Sequence, residues 1–548
     1  MTRHKEKRMK KKIAYILGVA AVLFLVIWLF GRGKKENIEN LVGLEGNVYE
    51  ETYLTYLESH GYDGTFASSV VDIDISQYTT TEEMSVSLSD KGLETGDEGS
   101  ITWNFTVNEE GFYNLKLGYL PSEGTSVDII RKIYLDNEQI YDGLSQIVLK
   151  RNFTDEPIKT KNNNEIRPSA IEVFNKHAVY VEDYNRRNGE PYAFYLTRGS
   201  HSLTFEVIKE PIIYTSLSFE KEEIIPSYEE KLASLGDVKE YKGEYLLGQA
   251  ERREGNTLSV IKSSTSINVQ KNYSDSNVVP YHPYRILYNT IGAKSFSMPG
   301  DYITWELDVP EEGLYQLTFK GRQHENRGVT AFRKIKINNE VPFLEMKVVP
   351  FPYESSMTNY TLKDEVGNPY LYHLQAGKNT ITMEVVLGEF GKVLTEVEKS
   401  MFELNQLYLK TIQITGQAPS QYIDYEIVRK VSGFVETMER ESERLLRACD
   451  ELVRITGEKG ENTSLIEKMA RQAQELAKDP ERVIKELAQL KNNIAALGTW
   501  IVNISEMPLE LDSVILSAAG DELPSPKDGF FEGLYYGTVR FFSTFFVK

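Results

Sequence analysis

The sequence predicts a multidomain chain: one transmembrane helix, two tandem antiparallel β-sandwich domains, then an antiparallel α-helical bundle. Three observations carry that prediction. Residues 13–30 form an uncharged apolar run. Residues 101–115, ITWNFTVNEEGFYNL, return as ITWELDVPEEGLYQL at 303–317, with nine of fifteen positions identical at an offset of 202. Beyond the second copy, alternation gives way to helical spacing. At 548 residues the chain exceeds what one core serves, so several domains are expected.

The amino end opens with seven Lys or Arg and one Glu in twelve residues, followed by Ile13 to Phe30. A helix of that length spans about 27 Å, one hydrocarbon core. Trp28 and Tyr15 stand near its ends, where aromatic rings favour the interface. Basic residues precede the span, so the amino terminus is expected in the cytoplasm and the bulk outside the cell. No small-residue cleavage pattern follows, which argues for an uncleaved anchor. Formal net charge is −19, and with the basic start near +6 the remainder stands near −25. An acidic body does not suit nucleic acid. The single cysteine, Cys449, excludes an intrachain disulfide.

The repeat continues. RKIYLDNE (131–138) matches RKIKINNE (333–340), and EPYAFYLTRGSHSLTFEV (190–207) matches NPYLYHLQAGKNTITMEV (368–385) at an offset of 178. The first copy therefore carries 24 extra residues in its middle. ITWELDV alternates in period two, EEG is a turn, and LQAGKNTITMEV reads as a turn and a strand. Many short strands of this kind build an antiparallel sandwich.

DYITWELDVPEEGLYQL, RKIKINNE and LQAGKNTITMEV, with a closing strand read in NQLYLKTIQI (405–414), resemble the β-jelly-roll carbohydrate-binding modules of families six and thirty-five. LLGQAERREG (246–255) resembles their opening strand; copy one shows no clear counterpart. The resemblance implies a galactose-binding-like fold and a saccharide ligand. It sets Glu251 where related modules hold a structural calcium, and implies no other cofactor.

Trp103 and Trp305 read as core side chains between sheets, with sugar stacking as the sharper alternative. Loop aromatics are the better ligand candidates: Tyr119, Tyr184 and Tyr192 in copy one, and Tyr281, Tyr284, Tyr353 and Tyr370 in copy two. Planar rings cover a pyranose face while polar groups fix its hydroxyls. Arg322, His324 and Arg327 in GRQHENRG supply such donors. Arg131 and Arg333 read as a shared structural salt-bridge position. Glu109–Glu110 and Glu311–Glu312 are adjacent turn residues and cannot flank one glycosidic bond. No metalloprotease, nucleophile-elbow or phosphate-loop motif is present, so no catalytic residue is expected.

Val428, Val431, Val435, Met438, Leu445, Cys449 and Leu452 predict one helix of about 30 residues. SLIE (464–467) reads as a capping box opening a second helix, and Asp479–Pro480 as the start of a third. Val483, Leu487, Leu490, Ile494, Leu497, Ile501 and Ile504 repeat at heptad spacing. Short connections predict a three-helix antiparallel bundle with an inert Cys449. The tail GFFEGLYYGTVRFFSTFFVK is aromatic enough to require a partner, a membrane surface or a further domain.

The expected organisation is a basic segment and anchor (1–36), a linker with a short helix (37–64), a first sandwich (65–225) and a linker (226–245). A second sandwich (246–417), the bundle (418–505) and the tail (506–548) follow. This order resembles large extracellular solute-binding proteins of Gram-positive ABC sugar importers, without their solute-binding lobes. It implies a membrane-anchored, extracellular, non-catalytic carbohydrate-binding protein. Its partners would be oligo- or polysaccharide, the membrane through 13–30, and an ABC permease or solute-binding partner. The alternatives are a cell-envelope spacer and an accessory portion of a glycoside hydrolase.

Overall fold

Strand Ser100–Val107 buries Ile101, Trp103, Phe105 and Val107 and turns the residues between them outward. Its repeat, Tyr302–Val309, buries Ile303, Trp305, Leu307 and Val309. The period of two read from the sequence is thus the inward face of two sandwiches. The computed structural model describes residues 52–249, 260–327, 329–457, 459–526, 535–536 and 538–539. Among them no helix is long and apolar enough to cross a membrane; the expected anchor, 13–30, lies outside them, as do Glu251 and most of the aromatic stretch 529–548.

In the first module the five-stranded sheet runs Tyr78–Thr80, Ser100–Val107, Gly199–Lys209, Ile129–Leu135, Ile147–Leu149. The opposing sheet centres on Gly111–Pro121 and Ile212–Glu220, with Val71–Ile73 pairing the latter. Trp103 and Tyr113 lie between the sheets, both 0% exposed. In the second module Tyr302–Val309, Gly377–Val386 and Ala331–Ile337 repeat one sheet, and Gly313–Arg322 leads the other. Val71–Ile73 and Leu246–Gln249 are equivalent, so copy one does possess the opening strand.

The closing strand departs from the expectation. Residues 405–414 are not a strand but part of helix Phe390–Thr415. The strand that completes the second module is Leu509–Ser517, paired with Gly313–Arg322 from Gln316↔Ser517 to Arg322↔Glu510. Its counterpart is Ile212–Glu220, and both carry a register shift at the same place, Tyr214/Ser216 and Lys320/Gly321. In the first module two residues separate the last two strands; in the second the whole bundle stands between them.

The bundle holds four long helices rather than three: Phe390–Thr415, Phe434–Thr456, Glu461–Lys478 and Val483–Ser505. Ile427 N–H donates to Glu481 at the far end (2.8 Å), and Arg454 meets Glu389 at the base (3.2 Å), so the helices run up and down alternately. The expected 30-residue helix is interrupted. A single turn, Ile427–Lys430, precedes Gly433, whose φ of +75° a side chain would resist, and Val428 is 61% exposed. The next helix starts at Glu461, ahead of SLIE, with Thr463 Oγ1 accepting from Gly460 N–H (3.0 Å). Asp479 makes no side-chain cap; a short 3₁₀ turn, Pro480–Arg482, leads into the last helix. All seven heptad residues of that helix are buried. The bundle core runs into the second module's core, where Phe332 meets Phe390 at 5.7 Å between rings.

Two short helices complete the repeat. In Tyr53–Ser59 the hydroxyl oxygens of Tyr53 and Tyr56 accept from the backbone N–H groups of Ala193 (2.9 Å) and Tyr195 (2.8 Å). In Tyr228–Ser234, Tyr228 Oη accepts from Leu371 N–H (3.0 Å), and Leu371 is the equivalent of Ala193. Each helix satisfies a strand that, among the described residues, pairs with no other strand on that side.

The extra residues of copy one bind the modules together. Strands Asn152–Asp155 and Ala170–Val173 join the second module's sheet, through Phe153↔Lys262, as its outermost members. Around this junction Lys150 bridges Asp128 (3.0 Å) and Asp301 (3.1 Å), Arg186 reaches Glu182 (2.6 Å) and Glu384 (3.3 Å), and Lys336 reaches Glu384 (2.9 Å). A Cβ on Gly391, at the start of the bundle, would lie 2.3 Å from Arg187 O, so only glycine lets the bundle approach this segment.

Among the described residues neither Arg131 nor Arg333 forms a salt bridge. Arg131 donates to Tyr214 Oη (3.1 Å) and to the carbonyls of Ile130, Lys209 and Glu210. Arg333 donates to the carbonyls of Phe332, Phe296 and Met507. Both serve carbonyls around the turn that leads into the last strand, a need the duplication preserves. Burial pushes the Arg333 guanidinium down to about 9.

Candidate functional site

The candidate ligand residues do not converge on one place. Tyr119 is a core residue, 1% exposed, and corrects its reading as a loop platform. Its hydroxyl donates to Lys150 O (2.8 Å) and its ring stacks on His177 at 4.7 Å. Burial raises its pKa and lowers that of His177 to about 4. Tyr192, 3% exposed, is likewise internal: its ring meets Tyr53 edge-on at 4.7 Å. Tyr370 is its equivalent and meets Tyr228 at the same 4.7 Å, with Phe343 at 5.2 Å. These two tyrosines seat the short helices; Tyr370 is half-buried against its own. Tyr184 and Tyr284 are exposed, at 41% and 43%, and Tyr284 lies edge-on to His282 at 4.4 Å.

Arg322 and His324 do come together, at one end of the second module. Arg322 closes strand Gly313–Arg322 and Glu510 opens Leu509–Ser517 beside it. Arg322 Nε donates to Glu510 Oε2 (2.7 Å) and Nη1 donates to Ser274 Oγ (3.2 Å). The other carboxylate oxygen, Oε1, accepts from Thr290 Oγ1 (2.8 Å) and Asn272 Nδ2 (3.2 Å). His324 Nδ1 lies 3.7 Å from Glu510 Oε2. Burial and the neighbouring Arg322 lower its pKa, so the imidazole is neutral near pH 7. One step along the strands, Lys320 Nζ meets Asp512 Oδ2 (2.7 Å) and donates to Asn277 O (2.5 Å). Burial raises the Asp512 carboxyl, with Lys320 opposing it.

The loop 271–289 covers this cluster. Asn289 Nδ2 donates to Asn272 O (2.9 Å) and Pro280 O (3.0 Å), and Asn272 N–H donates to Asn289 Oδ1 (2.7 Å). The exposed Tyr284 and His282 belong to this loop. At the equivalent strand positions the first module carries no charge, although just past the same strand end Arg151 pairs with Glu172 and Glu210 and donates to Ser122 O (2.8 Å). Register places Leu120, Ile213, Gly118 and Thr215 where the second has Arg322, Glu510, Lys320 and Asp512. Charges that one copy omits at these strand positions are not a requirement of the strand pairing.

Glu510, Asp512, Ser274 and Asn272 escaped sequence reasoning, although two carboxylates inside the apolar run LELDSVILS are a legible signal. The arrangement offers a guanidinium, a neutral imidazole and hydroxyls on a rigid strand end: hydrogen-bond donors and acceptors for a polyhydroxylated ligand. Among the described residues no group of three His, Cys, Asp or Glu could hold a metal ion. Trp103 Nε1 donates to Ile75 O (3.2 Å). Trp305 Nε1 has no partner among the described residues, and Ala250, at the position equivalent to Ile75, lies outside them.

Residues 392–504, about one fifth of the chain, match the family described as bacterial solute-binding protein, 4-helix bundle domain. A family 35 carbohydrate-binding module from Clostridium thermocellum aligns at 13% identity over 26% of this chain and 88% of its own, with a TM-score of 0.19. A Podospora anserina GH26-CBM35 β-(1,4)-mannanase aligns at 11% identity over 29% of each chain, TM-score 0.17. A Paenibacillus xanthan lyase aligns at 9% identity over 56% of this chain and 24% of its own, TM-score 0.17. Similarity at this level assigns no ligand.

Proposed function

We propose that this chain is a non-catalytic carbohydrate-binding protein of a bacterial solute-uptake system. In this reading it is held at the outer face of the membrane by residues 13–30 and captures saccharide at the loop end of its second module. The observation that carries the reading is the family match over 392–504, because it covers the bundle built into that module. Arg322, His324, Ser274 and the exposed Tyr284 supply the donors, acceptors and ring that hydroxyl recognition uses. An ABC permease is the partner this reading implies.

A glycan array probed with the intact chain tests it. Binding to a defined set of oligosaccharides is expected, weakened about tenfold by Tyr284→Ala and by Arg322→Ala. Tyr284 is exposed, so its replacement does not threaten the fold. Silence across the array, or binding indifferent to both substitutions, would remove the reading.

A spacer role is favoured by a different observation: the interlocked sheet holds the two modules as one rigid piece. Under that reading the array stays silent while the chain retains its partner at the envelope.

A further inference from the structure

The internal duplication supplies its own template for an interaction surface. In the second module the outer face of the Tyr302–Val309 sheet is covered by the first module's extra segment. Strand Asn152–Asp155 extends the sheet beyond Ile261–Lys262. Tyr302 Oη donates to Asn152 Oδ1 (2.6 Å), Lys150 meets Asp301, and Arg186 meets Glu384. The threonine pair Thr304–Thr382 beneath is 9% and 6% exposed.

The first module presents the same face open. Register equates Ser100 with Tyr302, Thr204 with Thr382, and Glu206 with Glu384. Thr102 and Thr204 share the hydroxyl hydrogen bond (2.7 Å) that Thr304 and Thr382 share (2.8 Å). Here a groove of about 430 Å³ lies over Thr204, lined by Thr81, Glu83, Ser100, Tyr134 and Glu206 among others. Tyr134 Oη donates to Glu206 Oε2 (2.6 Å), as Lys336 does to Glu384. Strand Tyr78–Thr80 occupies the place of Ile261–Lys262. It pairs with Ser100–Val107 on one side and with no strand on the other among the described residues.

We propose that this groove and edge strand form a docking site for a protein segment that adds as an extended strand and sets a basic side chain against Glu206. Two features select that occupant. The equivalent surface is filled by such a segment within this same chain, with Arg186 on the equivalent glutamate. The open copy adds a second carboxylate, Glu83, on its rim, so that even with Lys132 opposite Glu206 in register the groove is charge-complementary to a lysine- or arginine-bearing strand. A saccharide is less well served. The one aromatic ring in the groove, Tyr134, has Lys132 Nζ 4.8 Å over it, so one face is already taken.

The test uses the intact chain and a fluorescently labelled peptide of residues 147–188, the segment that fills the equivalent surface, read by anisotropy. Saturable binding is expected, weakened about tenfold by Glu206→Lys or Glu83→Lys and by raised salt. Glu83 is exposed, so its variant reports even where Glu206→Lys fails to fold. No saturation at millimolar peptide overturns the proposal. So does equal binding by the Glu83→Lys variant, which places the peptide elsewhere, or displacement of the peptide by neutral oligosaccharides, which makes the groove a sugar site.

Discussion

Replacing Glu384 by Gln removes one carboxylate at the junction of the two modules. The Glu384 side chain is 4% exposed, 2.9 Å from Lys336 Nζ and 3.3 Å from Arg186 Nε. Desolvation alone would raise its pKa, but Lys334, Lys336 and Arg186 together hold it well below the usual carboxylate range. The amide preserves shape and leaves the cations short of a counter-charge in a dry interface. Breaking a buried pair from one side costs about 3–5 kcal/mol. For a module of about 150–250 residues unfolding as its own unit, each kcal/mol moves Tm by about 2–4 °C, so a fall of about 6–20 °C is expected by calorimetry. The sign with pH follows from the depressed value. The carboxylate contributes stability above its unfolded pKa of about 4.3, and that contribution is lost as pH falls toward the folded value. Wild type should therefore lose Tm steeply below about pH 4.5, while Glu384→Gln starts lower and falls less. A Tm within 2 °C of wild type at neutral pH, or an unchanged acid limb, would refute this reasoning.

Tyr53→Phe and Tyr228→Phe each remove a hydroxyl from an edge-strand amide. Each should cost about 1 kcal/mol and speed hydrogen exchange at Ala193 or Leu371 respectively. Arg333→Met leaves the carbonyls of Phe296 and Met507 without that donor and should cost about 3 kcal/mol in urea unfolding, whereas a surface arginine change would cost almost nothing. Cys449 is 7% exposed and burial pushes its thiol up to about 12, so a thiol reagent at pH 8 should label it only after denaturation.

The repeated letters made the paired strands legible, because side chains facing a shared core geometry stay alike: Trp103 and Trp305, Tyr113 and Tyr315. The last strand hid for two physical reasons. Its two copies, IIYTSLSFE and LELDSVILS, agree at one position of nine, since a strand needs only apolar residues on one face. The inserted bundle then moved the second copy more than a hundred residues from its neighbour. Residues 405–414 misled because β-branched residues crowd the end of a helix. The burial of Leu404, Leu407, Tyr408, Thr411 and Thr415 shows the helical spacing that won. Tyr192 and Tyr370 looked like ligand platforms because each is seated by a helix about 140 residues earlier in the chain, a contact no local pattern announces. Arg322 and His324 were legible as donors in a polar loop; their partner Glu510, 188 residues away from Arg322, was not.

The insertion of the bundle between the last two strands of the second module is tested most directly by hydrogen–deuterium exchange of the intact chain over 509–517. Amides there should exchange as slowly as those of 313–322, the strand they pair with. Exchange at the rate of an unstructured segment, with 313–322 still protected, would contradict the account.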